Sequence, residues 1–155
     1  MTDGGTALPE AHALLRVLAV GRDVLELGSA FGVGAAAMAD TARSVTTIEQ
    51  DPERAAAARE RVRVLPNVNV LEGDWRELAH GSYGLVFADA GQYDFERILE
   101  LTGPGGYIVK DDLTPGRPVD GDPAREFLLR DPRLVATELL LREDLAAIVA
   151  VRVAP

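Results

Sequence analysis

The 155-residue sequence is 47% hydrophobic and 26% charged, enough for one domain that buries roughly 70% of its unfolded surface, and no apolar run approaches the roughly 20 residues that span a bilayer. Its formal net charge of −9 repels phosphate backbones, so a nucleic-acid partner is disfavoured. Zero cysteines exclude disulfides, thiolate metal ligands and a cysteine nucleophile, and residues 1–10 carry no basic stretch followed by an apolar core, so the expectation is a soluble, cytoplasmic protein with no membrane partner.

Apolar residues at helical spacing (Ala11, Leu14, Leu15, Leu18) predict a helix over 9–20, stopped by Gly21. Compact apolar runs then predict buried parallel strands over 24–27, 45–48, 68–71, 85–88 and 107–109. Between them the pattern predicts helices over 34–41, 52–64, 75–79 and 95–101, the last ended by Gly103-Pro104-Gly105-Gly106. Beyond Asp112 a Pro- and Gly-rich loop leads to a helix over 124–130 and two apolar segments, 134–141 and 145–153. Only Arg142, Glu143 and Asp144 separate those two, which forces an antiparallel hairpin, because a parallel crossover needs a dozen or more residues. The alternation predicts an α/β fold: a single domain over 1–155, built on one doubly wound sheet of about seven strands with the last antiparallel.

In such sheets ligands bind outside the carboxyl ends of the strands, where strand order reverses. The first strand here runs into Glu26-Leu27-Gly28-Ser29-Ala30-Phe31-Gly32-Val33-Gly34, and three glycines so close together exceed the needs of a plain strand-to-helix turn. They bring backbone N–H groups against a ligand, and the following helix offers its positive end to a carboxylate or phosphate. Glu49 ends the second strand about twenty residues after Gly28, where its carboxylate can accept from both hydroxyls of an adenosine ribose. Asp74, within Glu72-Gly73-Asp74-Trp75, is placed to accept from an adenine amine, with Trp75 either against the purine face or in the core.

Together the E-x-G-x-x-x-G-x-G loop, Glu49, the Gly73-Asp74 pair and the closing hairpin resemble the class I S-adenosylmethionine-dependent methyltransferases over essentially the whole chain. The resemblance implies a Rossmann-like sheet holding S-adenosylmethionine, with Glu26, Gly28, Ser29, Ala30, Gly32, Gly34, Glu49, Gln50, Asp74, Trp75 and Asp89 as cofactor residues. The segment 32–37 also fits the G-x-G-x-x-A dinucleotide fingerprint, but in that fingerprint the first glycine follows the strand directly, as Gly28 does here. Nor does anything after the sheet resemble the catalytic segment of an NAD-dependent oxidoreductase.

Two further segments, 86–93 and 106–112, place carboxylates at the carboxyl edge of the fourth and fifth strands. They resemble the cation-dependent O-methyltransferases related to catechol O-methyltransferase, in which an aspartate after the fourth strand and an Asp-Asn pair after the fifth bind magnesium. The resemblance implies Asp89, Asp111 and Asp112 as ligands of magnesium or calcium, a hard cation that would hold two neighbouring oxygens of a small-molecule acceptor and acidify one of them. Loop or helix capping before Thr114-Pro115 is the other reading of Asp111 and Asp112.

The chain departs from that family twice. Gln92 stands where the family has a basic lysine, and the predicted elements start at the first core helix, without the helices that roof the acceptor pocket. The pocket is then expected to be open, or completed by a second subunit in a homodimer, with its walls in the loops around 92–94 and 113–122. The catalytic candidates are Asp89 and Lys110, the single lysine, which either replaces the lost base or forms an ion pair with Asp111 or Asp89. His12 and His80 read as structural or solvated. One lysine rules out the two-lysine tetrad of ribose methylation, and no Asn-Pro-Pro-Tyr loop for amine or base methylation occurs, so an RNA acceptor is disfavoured; a hydroxyl oxygen as acceptor atom is what the resemblance to the cation-dependent O-methyltransferases implies. The non-enzymatic alternative is a cofactor-binding protein that kept the glycine loop and lost its base.

Overall fold

The structure is a computed structural model, and it describes residues 7–90 and 93–155. In chain order it runs α1 (Pro9–Ala19), β1 (Asp23–Leu27), α2 (Val33–Ala39), β2 (Ser44–Glu49), α3 (Pro52–Val62), β3 (Val68–Glu72), α4 (Trp75–Leu78), β4 (Tyr83–Ala88), α5 (Phe95–Leu101), β5 (Thr102–Leu113), α6 (Pro123–Arg130), β6 (Leu134–Arg142) and β7 (Leu145–Arg152). Aspartates start four of the helices. Asp51, Asp74, Asp94 and Asp122 each accept a backbone N–H from the first turn of α3, α4, α5 and α6, meeting donors that a helix leaves unpaired.

The strands form one seven-stranded sheet in the order β3-β2-β1-β4-β5-β7-β6. The pairs from β3 through β5 are parallel, and β7 lies antiparallel between β5 and β6. The predicted doubly wound α/β sheet with an antiparallel last strand is the fold of this chain. Strand order reverses between β1 and β4, which puts the switch point at the carboxyl ends of those two strands.

Alternation along the strands divides the core in two. Leu25, Leu27, Val86, Ala88 and Ile108 pack under α4, α5 and α6. Val24, Val45, Leu85, Phe87 and Val109 pack under α1 and α2. Among the described residues no helix is long and apolar enough to cross a membrane.

β5 departs from the sequence expectation at both ends. Gly103 to Gly106, read as the loop after α5, lie inside the strand as an irregularity opposite Tyr83 and Leu85. Pro104 has no N–H for the ladder and Gly105 sits at φ 71°, so the chain bulges there without leaving the sheet. At the other end the strand continues to Leu113, so Asp111 and Asp112 lie within it and not after it. Pairing with β7 is irregular between Lys110 and Leu113, and Asp112 takes φ 56°. Such a bulge re-aims side chains.

Candidate active site

The glycine loop is built around a buried acid. Glu26 lies directly across from Thr47 on β2 and Phe87 on β4, on the face covered by α1 and α2. Thr47 Oγ1 donates to Glu26 Oε2 at 2.5 Å, and Ser29 Oγ lies within hydrogen-bond distance of the same threonine oxygen. Because that hydroxyl has one proton and gives it to Glu26, Ser29 is the donor in the second bond. Burial pushes the Glu26 carboxyl up to about 8, the Thr47 bond opposes this, and the nearby charges of Asp111 and Glu49 add to it.

The three glycines serve three different needs. A Cβ on Gly34 would lie 2.2 Å from Glu26 Oε1, and one on Gly32 would lie 3.0 Å from the Cα of Ala58 in α3. These two glycines let α2 settle onto the buried acid and onto α3. Gly28 alone turns toward the switch point, at φ 94° with a hypothetical Cβ 3.3 Å from the Ala90 backbone nitrogen.

Beside Gly28 opens a cleft of about 230 Å³. The structure brings Gly28, Ala30, Glu49, Gln50, Asp74, Trp75 and Asp89 together in its walls, from four different strand ends. Glu26, Ser29, Gly32 and Gly34 are not among the lining residues; they support the loop from beneath. Ile48, Arg54, Gly73, Arg76 and Ala90 also line the cleft and were not singled out from sequence as ligand residues. Gly73 and Arg76 flank the Asp74-Trp75 pair and were within reach of that argument, whereas Arg54 reaches in from α3 with no signal in its neighbours.

Glu49 is held from two sides. Its Oε2 accepts from the backbone N–H of Ala30 at 2.8 Å and its Oε1 from that of Asp51 at 2.9 Å. Each oxygen retains capacity for another donor. The bond to Ala30 also fixes that residue at φ 45°, a conformation that costs energy outside glycine. Asp74 caps α4 and accepts from the Arg76 guanidinium, which holds its carboxyl below the usual range. Trp75 is part of the core and also lines the cleft.

Next to this cleft is a hollow of about 370 Å³, lined by Asp89, Tyr93, Lys110, Asp112, Leu113, Asp122, Pro123 and Ala124. Only Tyr93, Leu113 and Asp122 of these come from the two expected loop regions, the rest from the end of β4, from β5 and from α6; among the described residues Asp89 is the one it shares with the cleft. One carboxylate oxygen each from Asp89, Asp111 and Asp112 lies within 4.8 Å of the others. Asp111 is 0% exposed, and both of its carboxylate oxygens are buried without a hydrogen-bond partner among the described residues. Burial raises Asp89 to about 8, with the charges of Asp111 and Glu26 adding and Lys110 opposing. Burial likewise raises Asp111 to about 6, with Asp112 adding and Lys110 opposing.

Lys110 is buried, donates to the backbone carbonyl of Asp111 and sits 5.4 Å from the centre of the Tyr93 ring. Among the described residues it makes no ion pair with Asp89 or Asp111, so the ion-pair reading gives way to a carbonyl and cation–π contact. Gln92 lies outside the described residues. His12 is half-buried in α1 with Nε2 unpartnered, and burial lowers its pKa. His80 is exposed, and its carbonyl accepts from the Tyr83 hydroxyl.

No protein-family model matches the chain. The O-methyltransferase TomG from Streptomyces achromogenes, solved in complex with S-adenosylmethionine, superposes with a TM-score of 0.80 at 22% identity, over 97% of this chain and 82% of that one. The O-methyltransferase from Bacillus cereus, solved with S-adenosylhomocysteine, gives 0.78 at 22% identity over 96% and 83%. The chain has a methyltransferase fold. In sequence, this methyltransferase fold is 31% identical over 132 residues to protein-L-isoaspartate O-methyltransferase 1 of Geotalea uraniireducens (strain Rf4), covering 81% of this chain and 56% of that protein. It is 36% identical over 92 residues to protein-L-isoaspartate O-methyltransferase of Picosynechococcus sp. (strain ATCC 27264 / PCC 7002 / PR-6), covering 56% of this chain and 41% of that protein. The chain thus spans about half the length of these relatives.

Proposed function

We propose that the protein binds S-adenosylmethionine in the cleft and transfers its methyl group to a hydroxyl oxygen of a small molecule held in the adjoining hollow. The observation that carries this reading is the position of Asp89 as the wall common to both cavities. When bound, the cofactor supplies an activated methyl group on a sulfonium. Glu49 accepts from the ribose hydroxyls with the acceptor capacity its two backbone bonds leave free. Trp75 offers its indole to the purine, and Gly28 lets the backbone approach the cofactor at the strand end. Transfer then depends mainly on holding the acceptor oxygen in line with the methyl group.

The donor set suits a divalent cation. Three carboxylate oxygens converge, and neither oxygen of Asp111 finds a hydrogen-bond donor among the described residues. Asp89, Asp111 and Asp112 would hold magnesium or calcium, which would supply Lewis acidity at a coordinated hydroxyl. That acidity matters here because Gln92 occupies the place of a base and Lys110 is engaged by the Asp111 carbonyl.

The two sequence relatives are named for carboxyl methylation of isoaspartate. The reading here keeps a hydroxyl oxygen, because the cluster of Asp89, Asp111 and Asp112 would hold a cation able to acidify one. The engaged Lys110 supports one second reading, a protein that binds the cofactor without turning it over. A panel of catechols with labelled S-adenosylmethionine, run with magnesium, with EDTA and with Asp111→Asn, separates these readings. Transfer that EDTA and the substitution both abolish supports the cation-assisted enzyme. Transfer indifferent to both removes the cation. Tight cofactor binding with no transfer to any acceptor supports the second reading.

A further inference from the structure

The loop of residues 114–122 leaves β5 just past Asp112 and returns as α6, and its two ends meet on one side chain. Arg125, in the first turn of α6, is only 1% exposed. Its Nη2 donates to the Thr114 carbonyl at 2.8 Å and its Nη1 to Asp122 Oδ2 at 2.6 Å. Its Nε and Nη2 grip both oxygens of Glu138 on β6, at 2.8 and 2.9 Å. Asp122 also caps α6 through the N–H groups of Ala124 and Arg125. A planar guanidinium can serve these partners together, whereas an ammonium cannot. The residues just outside the clamped ends are Asp112 and Leu113 on one side and Pro123 and Ala124 on the other, and all four line the hollow. None of Arg125's partners lines the cofactor cleft.

We propose that Arg125 is a positioning residue for the acceptor end of the site: it ties both ends of the 114–122 loop to β6 and thereby fixes Asp112 and the facing walls of the hollow. What the hollow binds rests on the function proposed above; the clamp rests on its own geometry. Its consequence is a division of labour. Loss of the clamp loosens acceptor and cation binding and leaves cofactor binding intact.

The test compares the full-length wild type with Arg125→Lys, which keeps the charge but cannot reach all three partners. Amide hydrogen exchange across 112–121 should become at least about tenfold faster, with no change at the loop around Gly28. S-adenosylhomocysteine affinity by calorimetry should stay within about twofold, and Mn²⁺ affinity by electron paramagnetic resonance should fall about tenfold. For any catechol that is methylated, acceptor KM should rise about tenfold with kcat nearly unchanged. Unchanged exchange in the loop overturns the proposal. So does loosening spread evenly over the sheet with cofactor affinity falling in step, which marks an ion pair that only stabilises the fold. Should Arg125→Lys fail to fold, Glu138→Gln weakens the anchor to β6 alone and is read by the same criteria. A wild type that binds no S-adenosylhomocysteine removes the cofactor reading, while the exchange pattern still judges the clamp.

Discussion

Replacing Glu26 by glutamine isolates the cost of keeping an acid beneath the glycine loop. The two side chains have the same shape, and glutamine can keep the contact with Thr47 that Glu26 makes at 2.5 Å. In the unfolded chain the carboxyl titrates near 4.5, and in the folded protein burial raises it to about 8. Across that window the folded state keeps a proton that the unfolded state has released. The stability contributed by Glu26 is therefore fully present below the lower value and is lost as pH rises through the upper one, at up to about 1.4 kcal/mol per pH unit. Glutamine does not titrate. The stability of Glu26→Gln relative to wild type should then rise by about 2.5 kcal/mol from about pH 5.5 to about pH 7.5. Asp89 and Asp111 contribute to the pH trend of both proteins, so the difference between the two curves reports Glu26 together with its charge coupling to those two groups. Urea unfolding at several pH values, followed by the fluorescence of the single tryptophan, Trp75, measures it directly. Parallel curves for the two proteins would refute the buried neutral acid.

Glu49→Ala should weaken S-adenosylhomocysteine binding by about 1.5 to 3 kcal/mol, read by calorimetry against NAD as control, and unchanged affinity would remove Glu49 from the site. Gly28→Val should abolish cofactor binding in a protein with a native circular dichroism spectrum, because its added atoms point toward the Ala90 backbone at the switch point. Gly34→Ala should instead lower the melting temperature, since its new Cβ meets Glu26 Oε1 inside the core. Asp111→Asn should raise stability at about pH 8 without divalent cation, because Asp111, lifted to about 6, is ionised and unpartnered there. The same substitution should erase any thermal stabilisation by magnesium; stabilisation equal to that of wild type would place the cation elsewhere.

The fold was legible because parallel strands are buried on both faces and leave compact apolar runs, such as Val24, Leu25 and Leu27 or Leu85, Val86 and Phe87. β5 was read too short for the same reason. Its ends carry Gly103 to Gly106 and Lys110 to Asp112, which are not apolar, and bulges hold them in the sheet. At the site, Gly28, Glu49, Asp74, Trp75 and Asp89 could be found because each sits at or just past a strand end, and topology brings those ends together. Spacing could not separate the loop residues that face the cleft from those beneath it. Glu26 is buried on the sheet face under α2, and Gly32 and Gly34 serve close packing, where an added Cβ would meet Ala58 of α3 or Glu26 Oε1. Arg54 and Arg76 reach the cleft through long side chains on helices. Arg125 was invisible because Thr114, Asp122 and Glu138 become its neighbours only when β5, α6 and β6 are assembled.

The supports of the two cavities are as separate as their walls. The cofactor end hangs on Glu49, which ties the loop after β1 to the start of α3, and on glycines that let α2 close over Glu26. The acceptor end hangs on Arg125, which ties the loop after β5 to β6. Asp89 is the lining residue the cleft and the hollow share. Changes at sites without common partners add within a few tenths of a kcal/mol, whereas groups in contact couple. Glu49→Ala should therefore cost the same cofactor affinity whether or not Arg125 is replaced. Coupling should appear in pairs that include Asp89, whose pKa is raised first by burial and then by Asp111 on β5 and Glu26 on β1, and between Glu26 and Asp111, whose charge adds to the rise at Glu26. Asp89 belongs electrostatically to both ends, and geometrically to the point where a methyl group would pass from one to the other.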